Sequence, residues 1–287
     1  MFTFGFSRDE NDKVVENIKS SKECEEVEIK TSRELKAQEF EKIDEYLKSY
    51  SLTYKTYKEK MRFIDNIDVV LELLTSEDDL SQIIKAEEKH SDLLPGIYEG
   101  GCKIWECTHD LINFIENEQK NLFERKVLDL GCGAGLIGIM CMIKGAKCYF
   151  QDYNDEVLRY VTYPNIKANL ENIPQFDFNR CKFFCGDWLS FSELWQKEYS
   201  PEDKFDYIFT SETIYSPNNY MKLHNIFQNL LSPSGVILLA AKAHYFGPGG
   251  GLFDFKNILD KEGIFSYQTV WSHTNGLVRE ILEIKFK

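Results

Sequence analysis

The sequence lacks several features that would place a protein in a metal-binding or membrane class. Its 8 cysteines include no CxxC pair, which argues against a zinc ribbon, and no metal site is predicted. No run approaches the ~18 apolar residues of a membrane span, so no membrane contact is expected. The first residues show no basic segment followed by an apolar stretch, so no secretory signal is expected. We therefore expect reduced, mostly buried thiols in a cytosolic or nuclear protein.

An excess of positive charge is also missing. Lys plus Arg number 34 against 47 Asp plus Glu, a formal net charge of -13. Such a chain repels free nucleic acid, so no direct nucleic-acid contact is expected and a basic protein is the easier partner. The sequence contains no cluster of five or more lysines that would indicate nuclear import. A monomer is the expected state.

The chain divides into three regions by composition. Residues 1–45 are rich in charge and only weakly periodic, which predicts a flexible N-terminal arm. Residues 46–90 contain short apolar groups at helical spacing, which predicts a helical extension docked on the main domain. A solvated tail without a role of its own is the alternative. Residues 91–287 have a globular composition and are predicted to form the main domain.

Strand-like and helix-like segments alternate from residue 91 onward, and this predicts an α/β fold. The expected strands are 126–130, 147–153, 181–188, 205–212, 235–243, 265–272 and 278–286, and the expected helices are 103–119, 136–145, 155–170, 218–231 and 252–263. Pro164 predicts a break or kink in its helix. The pattern indicates a seven-stranded, mostly parallel Rossmann-like sheet with helices on both faces. The last two strands, joined by HTNG, form a C-terminal antiparallel hairpin.

A glycine-rich turn, VLDLGCGAGLIG, follows the first of these strands at 127–138. Glycines such as Gly131 and Gly133 let the backbone approach a ligand closely. Gly133, Gly135 and Gly138 have the G-x-G-x-x-G spacing, which permits NAD, FAD or S-adenosylmethionine. Asp129 would meet a dinucleotide pyrophosphate unfavourably. It can instead support a cationic ligand, such as the amino group or sulfonium of S-adenosylmethionine, directly or through loop amides and water. The turn is thus a candidate cofactor site, with a ligand-free turn as the alternative.

The next two strands also end in residues suited to a nucleoside. Ligands of open α/β sheets bind beyond the carboxyl ends of the strands. Asp152 lies about twenty residues after the glycines, where a carboxylate commonly accepts the ribose hydroxyls. Tyr153 could pack on the adenine, Asp187 could accept its exocyclic amine, and Trp188 offers a flat apolar wall.

The ends of the fourth and fifth strands face the place where the reacting group must approach. Ser211, Glu212 and Tyr215 follow the fourth strand. The string KAHYFGPGGG at 242–251 follows the fifth strand and is a candidate substrate cover. His244 in this loop could contact the substrate or accept a methyl group itself, with ordinary packing as the alternative.

Together these strings resemble a known family. DLGCGAG, QDY and GDW are similar to the seven-stranded S-adenosylmethionine-dependent methyltransferases. GIYEGGCKIWECT, DLGCGAGLIG, FQDYN, TSETIY and KAHYFGPGGG, in this order, resemble the protein-histidine N-methyltransferases that modify a large-subunit ribosomal protein. The resemblance covers about residues 91–287. SETIY replaces the Asn-Pro-Pro-Tyr-like motif of many methyltransferases, which argues against amide or adenine methylation.

The resemblance implies a methyltransferase that uses S-adenosylmethionine. It implies cofactor contacts at Ile104, Trp105, Glu106, Cys107, Thr108, Gly131, Gln151, Asp152, Tyr153, Gly186, Asp187, Trp188 and Ser211. Trp105 could face the sulfonium by cation–π attraction, or be an ordinary core tryptophan. The resemblance also implies a basic ribosomal-protein substrate and a location in cytoplasm and nucleus, with the nucleolus as one candidate compartment.

The chemistry of histidine methylation requires a lone pair on the attacking nitrogen. An imidazole with a pKa near ~6.5 is largely neutral at pH 7, so a strong base is unnecessary, but the proton must stay on the other nitrogen. Glu212, Ser211 and Tyr215 are candidates for this role, with loop carbonyls as rivals, and His244 completes the catalytic candidates. The resemblance implies methylation of the ring nitrogen remote from the main chain. Methylation of lysine or another target, and a non-catalytic ribosomal-protein-binding assembly factor, remain alternatives.

Overall fold

The computed structural model describes residues 29–49, 52–57, 61–64, 70, 81–89, 91–118, 120–173, 177 and 180–287. Most of the predicted arm, residues 1–28, lies outside the described residues. Within the described ranges, no helix is long and apolar enough to cross a membrane.

The regular elements alternate along the chain as expected. The strands are β1 (Arg33–Leu35), β2 (Tyr54–Tyr57), β3 (Met61–Ile64), β4 (Lys126–Leu130), β5 (Lys147–Asp152), β6 (Cys181–Cys185), β7 (Phe205–Ser211), β8 (Leu231–Lys242), β9 (Phe265–His273) and β10 (Arg279–Phe286). The helices are α1 (Gln38–Ser49), α2 (Gln82–Glu88), α3 (Glu106–Asn117), α4 (Leu136–Ile143), α5 (Asp155–Val157), α6 (Tyr163–Lys167), α7 (Trp188–Glu198), α8 (Tyr220–Leu230) and α9 (Leu252–Glu262).

The main sheet has the strand order β1-β6-β5-β4-β7-β8-β10-β9. Strands β6, β5, β4, β7 and β8 are parallel to one another. Strand β10 is antiparallel to β8 and β9, so the C-terminal hairpin is confirmed. The α/β fold class is therefore confirmed. Strand β5 pairs with one side of β4 and β7 with the other, so the strand order changes direction at β4. Ligands of such sheets bind in a crevice at the carboxyl ends of the strands at this point.

The sheet has eight strands rather than the predicted seven, because β1 pairs antiparallel with β6. Arg33 lies opposite Cys185, and Leu35 lies opposite Phe183 with its side chain buried. Without β1, the edge of β6 would present unpaired backbone groups. Residues 33–35, predicted to belong to a flexible arm, instead cover this edge.

The described part of the N-terminal region also departs from the predicted arm and helical extension. Helix α1 buries Phe40 and Ile43, and Phe40 packs on the Tyr163 and Phe183 rings at 4.6 and 4.8 Å between ring centres. Strands β2 and β3 form a separate hairpin, in a region predicted to be helical. Its β-branched and aromatic residues favour extended backbone. The Ile64 amide donates to Asn165 Oδ1 at 2.7 Å and ties the hairpin to the main domain.

The break expected at Pro164 lies just before it. Helices α5 and α6 are joined by a π-helical turn, Leu158–Thr162, and Pro164 occupies the first turn of α6, where a missing N–H is tolerated. Thr162 Oγ1 donates to the Gly133 carbonyl at 2.6 Å. The irregular turn therefore braces the glycine-rich turn.

Helix α7 is not among the predicted helices, because the string at 181–188 predicts a strand that continues through the first residue of this helix. Asp187 precedes it and accepts the Leu189 N–H at 2.8 Å, so this carboxylate caps the helix. Phe191 and Trp195 are buried on its inner face. The strand β6 consequently ends three residues earlier than predicted.

Candidate active site

A cavity of about 720 Å³ lies at the carboxyl ends of the parallel strands. This volume is in the range of small-molecule sites. The predicted site residues that line it are Ile104, Trp105, Thr108, Gly131, Gly133, Asp152, Tyr153, Asp187, Trp188, Ser211, Glu212, Tyr215 and His244. The predicted residues outside this lining are Glu106, Cys107, Asp129, Gln151 and Gly186. The structure thus brings most of the predicted set together around one space.

The glycine-rich turn forms the floor of the cavity beside β4. Gly131, Gly133 and Gly135 have φ values of 65, 49 and 74°, in the left-handed region that favours glycine. A Cβ at Gly133 would lie 2.9 Å from the Gly101 carbonyl oxygen. The turn is therefore packed against the chain before α3, which explains why glycine is required there.

The amides of this turn are already bound to the protein. The Gly133 N–H donates to Asp152 Oδ2 at 2.9 Å, and the Gly138 N–H donates to Asp129 Oδ2 at 2.8 Å. The Cys132 N–H donates to the Gln151 carbonyl at 2.8 Å. A pyrophosphate would need such amides for itself, and in the cavity it would meet the carboxyl group of Asp152 instead. The arrangement argues against NAD or FAD and fits a cofactor without phosphate.

Asp129 differs from its predicted role. Its side chain is buried beneath the turn, where Oδ2 holds the first turn of α4 through Gly138. Burial raises its pKa to about 8, although the Gly138 bond opposes the rise. Asp129 does not line the cavity, so the prediction of a direct contact between Asp129 and a cationic ligand is wrong. The Asp129 side chain positions the turn instead.

Asp152 lines the cavity as predicted. Its Oδ1 accepts the Asn154 N–H at 3.1 Å, and its Oδ2 accepts the Gly133 N–H. Burial is the main reason that its pKa rises to about 6. A carboxylate has about four acceptor positions, so both oxygens retain capacity for ribose hydroxyls. The geometry therefore fits the predicted ribose contact.

Gln151 supports the wall of the cavity from behind. Its Oε1 accepts the Trp188 Nε1–H at 2.9 Å, and its Nε2 donates to the Gly186 carbonyl at 2.9 Å. The indole of Trp188 is thereby fixed at the cavity wall. Asp187 Oδ2 lies 2.7 Å from Lys222 Nζ, so this wall residue is also tied to α8. Gln151 and Gly186 are positioning residues rather than lining residues.

The IWECT segment turns into α3 at the cavity. Thr108 Oγ1 and Ser211 Oγ are 2.9 Å apart and connect the helix to the end of β7. Cys107 is buried behind this contact, and burial raises the pKa of its thiol. Glu106 lies at the helix start with its side chain mostly exposed. Only Ile104, Trp105 and Thr108 of the segment line the cavity.

Trp105 makes the predicted type of contact, but with lysines. Its Nε1–H donates to the Gly100 carbonyl at 3.2 Å. Lys103 Nζ lies 4.7 Å and Lys242 Nζ 5.4 Å from an indole ring centre. Cation–π attraction is therefore already satisfied by two ammonium groups of the protein.

Glu212 occupies the centre of the site. Its φ of 60° is left-handed, which is rare for a residue other than glycine and marks a constrained position. The residue is 8% exposed, and Oε1 accepts the Cys107 N–H at 3.2 Å. Its Oε2 is buried and has no hydrogen-bond partner among the described residues. Buried polar atoms are almost always paired, so an unpaired carboxylate oxygen on a cavity-lining residue is a candidate contact for a ligand.

Lys242 also lines the cavity, although it is not among the residues predicted for the site. Its Nζ lies 2.8 Å from Glu106 Oε2 and 3.5 Å from Glu212 Oε1. Burial opposes its charge, but the bond to Glu106 and the charge of Glu212 raise its pKa overall. The signal was present, because Lys242 is the last residue of β8 and thus a strand-end residue like the others.

The other two catalytic candidates lie nearer the outside. The Tyr215 hydroxyl donates to Glu99 Oε2, and burial raises the pKa of this phenol. Tyr215 therefore already has a carboxylate partner. His244 lies on the exposed rim, where its ring is 4.9 Å from that of Phe246, which is 80% exposed. The site accordingly has Glu212 inside and an aromatic rim at its mouth.

The cover loop is held close to Tyr215. The Gly250 N–H donates to the Tyr215 carbonyl at 2.8 Å, and a Cβ at Gly250 would lie 2.5 Å from that oxygen. Gly247 and Gly249 instead face open space. The loop is thus anchored at its base and open at its tip.

Comparisons with known proteins agree with this site. A family model described as lysine methyltransferase matches residues 84–247. Histidine protein methyltransferase 1 homolog of Mus musculus is 43% identical over 224 residues, covering 71% of this chain and 62% of the relative. Histidine protein methyltransferase 1 of Schizosaccharomyces pombe is 32% identical over 232 residues, covering 68% and 67%. Protein N-lysine methyltransferase METTL21A of Xenopus tropicalis is 27% identical over 143 residues, covering 50% and 60%.

The chain spans about six tenths of the length of the mouse relative. The match to a methyltransferase family confirms the predicted cofactor, S-adenosylmethionine, and the phosphate-free turn fits it. The family model covers more than half of the chain, and the histidine-directed relatives cover more of it than the lysine-directed one. The chain therefore belongs to the protein-histidine N-methyltransferase family.

Proposed function

We propose that this protein transfers a methyl group from S-adenosylmethionine to a ring nitrogen of a histidine in a large-subunit ribosomal protein. The single observation that carries the proposal is the carboxylate of Glu212, a cavity-lining residue whose buried Oε2 has no hydrogen-bond partner among the described residues. The histidine protein methyltransferases among its relatives support the choice of acceptor. When bound, S-adenosylmethionine supplies the electrophilic methyl group.

Glu212 has the chemistry to hold an imidazole in one tautomer. A carboxylate is acceptor-only, so Oε2 takes the N–H of one ring nitrogen and leaves the lone pair on the other. The ring is largely neutral at pH 7, so the protein needs to orient it rather than deprotonate it. Holding the reacting nitrogen in place raises the rate of methyl transfer, because it aligns this nitrogen with the methyl group. Glu212 is thus proposed as the residue that selects the attacking nitrogen.

The charges around Glu212 disfavour a lysine acceptor. Lys242 already places an ammonium 3.5 Å from Glu212 Oε1, and a second ammonium beside it would be repelled. A lysine side chain with a pKa of about 10.4 must also lose its proton before it can attack. Histidine is therefore the better acceptor for this site.

The proposed substrate fits the charge of the whole chain. The net charge of -13 favours a basic partner such as a ribosomal protein. We further propose that the protein works as a monomer in cytoplasm and nucleus, where free ribosomal proteins and assembling subunits occur. The proposals on substrate, oligomeric state and location depend on the proposal that a protein histidine accepts the methyl group.

The test is transfer of a labelled methyl group from S-adenosylmethionine to purified large ribosomal subunits and to their extracted proteins. We expect label in one ribosomal protein and none in RNA, with loss of labelling in Asp152→Ala. Label in RNA would contradict the proposal. Tight cofactor binding without any transfer would instead support a non-catalytic assembly factor.

A further inference from the structure

A short N-terminal segment that ends with the first residue of β1 crosses the carboxyl ends of β5 and β6. We call residues 29–33 the strap. Ser32 Oγ donates to the Cys185 carbonyl at 2.7 Å, and the Ser32 N–H donates to Ser190 Oγ at 2.8 Å. The Asp187 N–H donates to the Lys30 carbonyl at 2.9 Å. The strap is thus bonded directly to the segment that carries Asp187 and Trp188.

Gly186 shows how closely the strap approaches this wall. Its φ of 109° favours glycine, and a Cβ there would lie 2.6 Å from Ser32 Cα and 2.8 Å from the Thr31 carbonyl oxygen. Both are backbone atoms, which cannot move aside as a flexible side chain can. The absence of a side chain at Gly186 is therefore explained by the strap rather than by a ligand.

The side chains of the strap face the cavity and its neighbours. Ile29 lines the cavity and is 50% exposed. Lys30 Nζ lies 5.1 Å from the centre of the Tyr153 ring, 3.3 Å from Gln82 Oε1 and 3.7 Å from Asp155 Oδ1. These contacts hold the strap across the end of the cavity that Tyr153 lines.

We propose that the strap is part of the cofactor site and forms an apolar wall for the adenosyl group through Ile29. A half-exposed isoleucine beside a cavity gains burial when a ligand covers it, and this burial favours binding. Lys30 acts as a positioning residue, because its backbone carbonyl and its ammonium fix the strap to the wall. The cofactor-binding unit then includes residues 29–33 in addition to the domain from residue 91 onward.

The inference rests on the cofactor assignment and is independent of the acceptor. If a bound adenosyl group covers Ile29, it must also slow the opening of the strap. Lys30 and Arg33 are trypsin sites within the strap, and Lys204 is a trypsin site at the amino end of β7, away from the cavity. The three sites therefore report on the strap and on an unrelated part of the same chain.

The experiment measures trypsin cleavage of the full chain with and without S-adenosylhomocysteine, and calorimetric Kd values for the same compound. We expect cleavage after Lys30 and Arg33 to slow at least about fivefold, with no change after Lys204. We expect Ile29→Ser to raise Kd about three- to tenfold. The matched control is Ile97→Ser, since Ile97 is 40% exposed but does not line the cavity.

The possible results separate the two claims. Unchanged cleavage and unchanged Kd in Ile29→Ser, with normal binding by the wild type, would overturn the strap inference alone. An equal rise in Kd for the Ile97 control would overturn it as well. Failure of the wild type to bind S-adenosylhomocysteine would overturn the cofactor assignment together with the strap.

Discussion

Replacing Glu212 by glutamine isolates the proposed role of its free oxygen. Glutamine keeps the shape of the side chain, and its one carbonyl oxygen can still accept the Cys107 N–H as Oε1 does at 3.2 Å. The atom in place of Oε2 becomes an amide nitrogen, which donates and cannot accept the imidazole N–H. Oε2 accepts no hydrogen bond from the described residues, so the substitution removes none at that atom. The change therefore acts on the acceptor.

The size of the effect follows from the bond that is lost. A hydrogen bond to a charged group contributes about 1.5–3 kcal/mol. Each 1.36 kcal/mol is tenfold in rate, so we expect kcat to fall roughly 10- to 150-fold. The affinity for S-adenosylhomocysteine should change less than about twofold, since the ribose contact belongs to Asp152. Lys242 retains Glu106 at 2.8 Å, so thermal stability should change little.

The assay measures initial rates with labelled S-adenosylmethionine at saturating protein substrate, together with calorimetry and thermal melting. Glu106→Gln is the control, because Glu106 also contacts Lys242 but does not line the cavity. It should reduce kcat much less. A Glu212→Gln protein that melts normally and turns over within about twofold of wild type would refute the role.

Three further predictions concern the turn, the buried carboxyl and the rim. Gly133→Ala places a Cβ 2.9 Å from the Gly101 carbonyl oxygen at a φ of 49°. Denaturant titration should therefore show a stability lower by about 1–3 kcal/mol, and calorimetry should show weaker cofactor binding. Unchanged stability and unchanged binding would contradict the packing of the turn against Gly101. Burial raises the Asp129 pKa to about 8, so the native state binds more protons than the unfolded state between pH 4 and 8, and stability falls with rising pH. Relative to Asp129→Asn, wild type should lose about 1.4 kcal/mol per pH unit in urea titrations, and parallel curves would refute this. In steady-state assays, Phe246→Ala should raise KM for the protein substrate about three- to tenfold. The control Phe123→Ala should leave KM unchanged, because Phe123 is also exposed but packs on Gly145 outside the cavity lining. Equal effects of the two substitutions would contradict a rim that contacts the substrate.

The central fold was predictable from local patterns, whereas its edge was not. The bounds of β4 agree with the expected strand 126–130, because five residues between a charged loop and a glycine turn carry a clear signal. Strand β1 has only three residues, with Leu35 as its single buried side chain. Its formation depends on the unpaired edge of β6, which no local pattern shows. Helix α7 is not predicted for a related reason, since its cap residue Asp187 and its first residue Trp188 both belong to the strand-like string at 181–188.

The site was predictable at the level of strand ends, but side-chain direction was not. Asp152 ends β5 and lines the cavity as expected. Asp129 lies one residue before the end of β4, and the alternation of a strand turns its side chain under the turn. The left-handed backbone of Glu212 and its pairing with Lys242 arise from tertiary contacts. The sequence therefore indicates the cofactor end of the site more directly than the acceptor end.

The most direct test of the central claim is the identity of the methylated residue. The labelled ribosomal protein would be hydrolysed, and its amino acids separated against standards of both ring-methylated histidines and of methyllysine. Selection of the attacking nitrogen by Glu212 predicts a single methylhistidine, and the family resemblance implies that it is modified at the ring nitrogen remote from the main chain. Methyllysine, or an equal mixture of the two methylhistidines, would contradict it.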